Sequence, residues 1–267
     1  MPKIGIGDAQ IHYHVHGEGE PVLLIAGLAS DLYTWKKALP ELAKHHKVVV
    51  FDNRGSGLTE TSSAAFTIAT LADDAAGLLE ALAIPKAHVV GWSMGGNVAQ
   101  ELALHHPDKL GALVLMSTYM KSPDRSRFAL DVLIHAVREG ASMETFMMMM
   151  QAWGSTNPAF EGKHPAWKNE ATGNHLLSVE GFARQKRALD GFDTRTRARK
   201  IAFPTLVVHG TEDIMVPPQF GEDLAAQIPG AELQRVVGAG HFLPAAGWVG
   251  PALDFLAKHP LAGRDRL

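Results

Sequence analysis

Short apolar, β-branched runs take turns with stretches of helical periodicity along the first half of this 267-residue sequence. The runs fall at 22–26, 47–51, 88–91 and 112–116, and helical patterns at 35–45, 68–82 and 94–106 follow the first three. A strand that reads apolar throughout must be covered on both faces. Strands separated by helices join through right-handed crossovers into a mainly parallel sheet. The expected fold class is therefore α/β, a central, mainly parallel sheet flanked by helices. Residues 11–16 alternate at period two, as an exposed antiparallel edge strand does.

The rhythm stops near Tyr119. From there to about Arg199 no buried strand is legible, and helical patterns at 125–138, 142–153 and 179–189 surround a polar stretch punctuated by Gly and Pro. Strands at 205–209 and 232–237 and helices at 219–227 and 248–258 then restore the pattern. This predicts a core formed by residues 1–118 and 200–267, with an inserted helical cap at 119–199.

Hydrophobic residues make up 46% of the chain and charged residues 20%, enough apolar material for a sizeable core. The net charge of −3 is too small to suggest a nucleic-acid or anionic-membrane partner. No cysteine is present, which excludes disulfides, zinc–thiolate sites, iron–sulfur clusters and a cysteine nucleophile. Residues 1–8 contain no apolar run of signal-peptide length, and runs such as 21–29 fall short of the roughly 20 residues a membrane span needs. A soluble, cytoplasmic protein acting on a small molecule is expected; its oligomeric state is not legible.

The sharpest chemical signal is Gly91-Trp92-Ser93-Met94-Gly95-Gly96, lying between an apolar strand and a helical run. The bare pattern is weak, since Gly140-Ala141-Ser142-Met143 nearly repeats it; placement gives it weight. A strand-to-helix turn that tight strains the serine, and flanking glycines remove the side chains that clash. The hydroxyl then stands clear of the sheet, at the positive end of a helix. Such a serine needs a base to take its proton. If the base follows the acid in the chain, and the acid follows strand 205–209, His241 and His259 remain of the 14 histidines. His259 closes a terminal helix; His241 lies in the loop Gly238-Ala239-Gly240-His241-Phe242 after a strand, where an imidazole reaches over the sheet edge. His241 is the expected general base. The acid is expected at Asp213, which would fix the histidine tautomer and stabilise the imidazolium. Its neighbour Glu212 reads as a solvated loop acid, because adjacent side chains on a turn diverge. The oxyanion donors expected are the backbone N–H groups of Met94, next to the nucleophile, and Leu28, after the first buried strand.

At this point the sequence resembles the α/β-hydrolase superfamily over nearly its whole length. The matching pieces occur in order: Gly27-Leu28, Phe51-Asp52-Asn53-Arg54-Gly55-Ser56-Gly57, Gly91 to Gly96, Phe192-Asp193, the loop from His209 to Pro217, and Gly238 to His241. The resemblance implies hydrolysis without a metal or organic cofactor, and it is nearest to small capped esterases, enol-lactone hydrolases and non-haem haloperoxidase-like proteins. Epoxide hydrolases and haloalkane dehalogenases carry aspartate at the nucleophile position, so Ser93 argues against both. Many members have histidine before the oxyanion glycine; Ala26 stands there instead, which leaves the Leu28 donor available. The expected activity is cleavage of a carboxylic ester or lactone with an apolar acyl portion. Carbon–carbon bond hydrolysis or peracid formation on the same residues is the alternative, and a non-catalytic ligand receptor a more distant one.

Other signals read as structural. His12, His14 and His16 share one strand face, taken as an exposed polar face because no acid or further histidine is spaced to complete a metal site. His45-His46 and His105-His106 read as helix ends, where imidazolium suits the dipole. Asp52 and Arg54 are expected to brace a loop, and Gly5-Ile6-Gly7 lacks the third glycine of a dinucleotide site. Met143, Phe146, Met147 to Met150, Trp153, Trp167 and Phe182 are expected to pack the cap, with some lining an apolar pocket.

Overall fold

A computed structural model describes residues 1–161 and 178–261. Eight strands form one sheet: β1 (Lys3–Ile6), β2 (Ala9–His16), β3 (Glu20–Ile25), β4 (His46–Phe51), β5 (Ala87–Trp92), β6 (Leu110–Met116), β7 (Thr205–Gly210) and β8 (Glu232–Val236). Their spatial order is β1-β2-β4-β3-β5-β6-β7-β8; β1 and β2 run antiparallel to their neighbours and the rest are parallel. Side chains alternate across the sheet. Leu23, Ile25, Val49, Val89 and Leu115 face one apolar layer, and Val22, Leu24, Val48, Val90 and Val114 face the other. That is why the central strands read as unbroken apolar runs.

The first layer is closed by α2 (Ile68–Ala81), α3 (Met94–His105) and α7 (Pro218–Gln227); the second by α1 (Leu39–Leu42) and α8 (Val249–Lys258). Strand order reverses on either side of β3, so the loops after β3 and β5 diverge and leave a crevice at the sheet's carboxyl edge. Between β6 and β7 lie α4 (Asp124–Arg138), α5 (Met143–Gly154) and α6 (Val179–Asp190), with no strand among the described residues. These helices bury Leu130, Ile134, Phe146, Met150 and Phe182 against Ala29 and Met215 from the loops over that crevice. Among the described residues no helix is long and apolar enough to cross a membrane.

Four local expectations are corrected. The helical pattern at 35–45 resolves into a 3₁₀ turn, Leu32–Trp35, and the single turn of α1. Pro40 has no N–H to give a preceding turn and is accommodated only at a helix start. His46 is consequently no helix end: it opens β4, is buried, and sets Nδ1 3.2 Å from the Glu20 carbonyl. The strand at 11–16 is not the edge, because β1 pairs outside it. Nor is its histidine face exposed: His12 is fully buried, and its Nδ1 lies 2.7 Å from Asp52 Oδ2. The pairing comes from β4 delivering Asp52 beneath β2, a contact across 40 residues that no local pattern encodes.

Candidate active site

The segment after β5 turns into α3 with no loop between them. Gly91 and Gly95 make the turn possible by close approach: a Cβ on Gly91 would stand 2.3 Å from the Gly95 carbonyl oxygen, and one on Gly95 1.9 Å from that of Ile25. Between them Ser93 takes φ 54° and ψ −118°, a left-handed backbone that a residue with a side chain rarely adopts. The surroundings hold it there. Its N–H donates to the Met116 carbonyl at 2.8 Å, and its own carbonyl accepts from Thr118 Oγ1 at 2.8 Å. Strain held by neighbouring bonds presents the hydroxyl in one direction.

That hydroxyl meets an imidazole. Ser93 Oγ lies 3.0 Å from His241 Nε2, and His241 Nδ1 lies 2.8 Å from Asp213 Oδ2. The carbonyl of His241 accepts from Trp92 Nε1 and from Ser117 Oγ, each at 3.2 Å, and its ring packs 5.6 Å from that of Trp92. The loops carrying Asp213 and His241 are tied together by Glu212 N–H to Ala239 O, 2.9 Å, and by Gly238 N–H to Thr211 Oγ1, 2.9 Å. Glu212 itself is exposed.

Asp213 is buried, and burial works to raise its pKa. The attraction of the carboxylate for His241 in its charged form, hydrogen bonds from His209 and His241, and the Val216 N–H outweigh that and hold the carboxyl well below the usual carboxylate range. An ionised carboxylate only accepts hydrogen bonds, so Nδ1 of His241 carries the proton and Nε2 presents its lone pair to Ser93. Oδ1 of Asp213 accepts from the N–H groups of Met215 at 2.9 Å and Val216 at 2.8 Å.

Of the two expected oxyanion donors, Met94 opens α3 and so has a backbone N–H without an intrahelical acceptor. Leu28 lines the cavity beside Ser93, and its neighbour Gly27 approaches so closely that a Cβ there would stand 3.2 Å from Ser93 Cβ. Ser93, His241 and Asp213 thus form one hydrogen-bonded chain at the carboxyl edge of β5, β7 and β8, with Leu28 on the cavity wall and Met94 next to Ser93 at the start of α3.

Above them opens a cavity of about 500 Å³. Leu130, Phe146, Met147, Met150, Leu189 and Met215 supply much of its apolar wall. Met149 is exposed instead, Phe182 packs edge-on behind Phe146 at 4.8 Å, and Trp167 lies outside the described residues. Burial pushes the Tyr119 phenol up to about 12, so it faces the cavity as a neutral group. Among the described residues no group of three or more His, Asp or Glu side chains is arranged to hold a metal ion.

Two contributors, His209 and Asn53, are not found by sequence reasoning. His209, at the end of β7, sets Nε2 2.8 Å from the Val216 carbonyl and 3.4 Å from Asp213 Oδ2. Asn53 Nδ2 donates to the Ala26 carbonyl at 3.1 Å. Asp52 accepts from Leu32 and Leu58 N–H groups, each at 2.8 Å, while Arg54 forks onto Asp74 at 2.5 and 2.9 Å. Asp52 and Arg54 thus brace the loop after β4. That bracing is the one expected from sequence, whereas sequence reasoning gives His209 and Asn53 no role there.

Comparison with known proteins gives a consistent result. Residues 20–245 match the model of a protein family described as alpha/beta hydrolase fold. A RutD protein of Caulobacter segnis, named as a candidate carbamate hydrolase, is 31% identical over 248 residues, covering 86% of this chain and 89% of its own. The crystal structure of an enol-lactonase from Burkholderia xenovorans has a TM-score of 0.87 at 28% identity, covering 96% of this chain and 100% of that one. A thermophilic esterase from Thermogutta terrifontis has a TM-score of 0.85 at 26% identity, covering 97% and 98%.

Proposed function

This chain belongs to the α/β-hydrolase family, and from that premise we propose that it is a serine hydrolase cleaving a carboxylic ester or lactone with an apolar acyl portion. The observation that carries the reading is the hydrogen-bonded chain from Ser93 through His241 to Asp213 at the floor of an apolar cavity. His241 Nε2 takes the proton of Ser93 Oγ as that oxygen attacks the carbonyl carbon. The oxyanion formed accepts from the N–H groups of Leu28 and Met94. His241 then gives its proton to the leaving alkoxide, and a bond between Ser93 Oγ and the acyl carbon remains. A water molecule, deprotonated by the same nitrogen, attacks that carbon; Ser93 recovers the proton and the acid leaves.

The helices between β6 and β7 act in this reading as a cap that selects the acyl group. Each methylene transferred from water to the wall is worth about 0.8 kcal/mol, so a few carbons decide between substrates. A carbamate ester presents the same carbonyl, and the name of the Caulobacter relative makes it the natural comparison. Nitrophenyl esters of graded acyl length, γ- and δ-lactones, aryl carbamates and a vinylogous diketone, assayed side by side, test the assignment. Ester or lactone turnover that rises with acyl length and falls at least 10³-fold in Ser93→Ala supports it. Full turnover by that variant refutes it. Preferential cleavage of the diketone favours the carbon–carbon alternative, and failure of Ser93 to react with a fluorophosphonate favours a ligand receptor.

A further inference from the structure

The loop proposed to hold the oxyanion rests in a conformation its own residues disfavour. Gly27 to Ser30 form a β-turn closed by Ser30 N–H to Gly27 O at 3.3 Å, with Ala29 at the third position and φ 62°. A positive φ at that position alone marks the type II class, where glycine or asparagine is the usual occupant and alanine is strained. One group outside the loop answers that strain. Gln185, on α6 and fully buried, accepts the Ala29 N–H on Oε1 at 3.0 Å. Its Nε2 donates to the Arg54 carbonyl at 2.7 Å and to Ser56 Oγ at 2.8 Å, so the amide cannot turn over without facing donors to donors.

The consequence bears on Leu28. Its N–H belongs to the peptide between two anchored ones: the Ala26 carbonyl is held by Asn53 and the Ala29 N–H by Gln185. We propose that Gln185 is a positioning residue for the reaction, fixing the strained turn that aims the Leu28 N–H at the oxyanion and thereby making the hole depend on the seating of α6. This rests on the serine-hydrolase reading above. Removing the amide frees the Leu28–Ala29 peptide to rotate toward the type I form that alanine prefers, and the adjoining Gly27–Leu28 peptide, which carries the donor, loses its anchor on that side. A donor misplaced by a fraction of an ångström weakens transition-state binding far more than substrate binding.

The test is Gln185→Met, which keeps most of the volume and none of the hydrogen bonds, assayed on the best ester from the panel. We expect kcat to fall about 10-fold or more with KM within about twofold, and affinity for an alkyl boronic acid to fall in step with kcat/KM. Ala29→Gly added to that variant should restore much of kcat, because glycine accepts the positive φ without help. Gln185→Glu, which keeps an acceptor for Ala29, should retain more activity than the methionine variant and serves if the latter does not fold. Lys186→Met is the control: the adjacent lysine on α6 pairs with Asp131 and Asp190, so its loss loosens the helices without touching the loop, and kcat should stay within about twofold. Unchanged kcat in Gln185→Met, or an equal loss in Lys186→Met that glycine at position 29 does not repair, would overturn the proposal. Fluorophosphonate labelling of Ser93 in each variant separates the two claims, since failure of the serine-hydrolase reading abolishes labelling in the parent protein as well.

Discussion

Replacing Asp213 by asparagine changes one atom and should reverse the direction of proton flow at Ser93. Oδ1 accepts two backbone N–H groups, from Met215 and Val216. An amide turned so that its NH₂ faced them would leave two buried donors unpaired, at a cost of about 1–3 kcal/mol each. The asparagine oxygen is therefore bound to stay at the Oδ1 position, and its NH₂ must point at His241 Nδ1. That nitrogen then accepts, the ring proton moves to Nε2, and Nε2 donates to Ser93 Oγ instead of receiving from it. An exchange of tautomer of this kind lowers kcat by about 10⁴-fold, equivalent to about 5.4 kcal/mol of transition-state stabilisation. The fold should persist, because both backbone donors keep their acceptor. Stability should carry a second signature. The Asp213 carboxyl is held below its ordinary value of 3.8, so its contribution is complete above that pH and is lost as pH falls toward the folded value. The asparagine variant has no such term, and the difference in Tm between the two proteins should be widest above about pH 4 and narrow below it. Ester hydrolysis at pH 8 and a thermal-shift series from pH 2.5 to 7 measure both. A variant retaining kcat within tenfold of the parent would show that Asp213 does not set the tautomer.

Two further outcomes follow from other parts of the molecule. Gly95→Ala drives a Cβ into the Ile25 carbonyl, which is backbone and cannot swing aside; we expect a loss of more than about 2 kcal/mol, or roughly 5 °C in Tm, and a wild-type Tm would refute the close-approach account. Burial lowers the pKa of His14, His46 and His88 below the ordinary 6.5, so the unfolded chain binds protons that the folded one refuses. Their contribution is full above 6.5 and lost as pH falls, hence Tm should decline from pH 6.5 to 5; a Tm flat across pH 5 to 8 would count against it.

The sequence by itself determined every strand but β1, most of the helices and the elbow at Ser93, because each is written in neighbouring residues: apolar period, helix start and stop, glycines around a serine. It also narrowed the candidate acid and base to Asp213 and His241, by chain order and by their place after a strand. Proximity belongs to the tertiary structure. Ser93 and His241 are 148 positions apart, Ala29 and Gln185 are 156, and nothing in local spacing says which buried amide meets which strained turn. The same limit hid the pairing of His12 with Asp52, where alternation marks which residues share a face but not what lies beneath it. Period and turn chemistry act over a few bonds, whereas the seating of α6 on the loop after β3, and so the shape of the cavity, is settled only when the two apolar layers close.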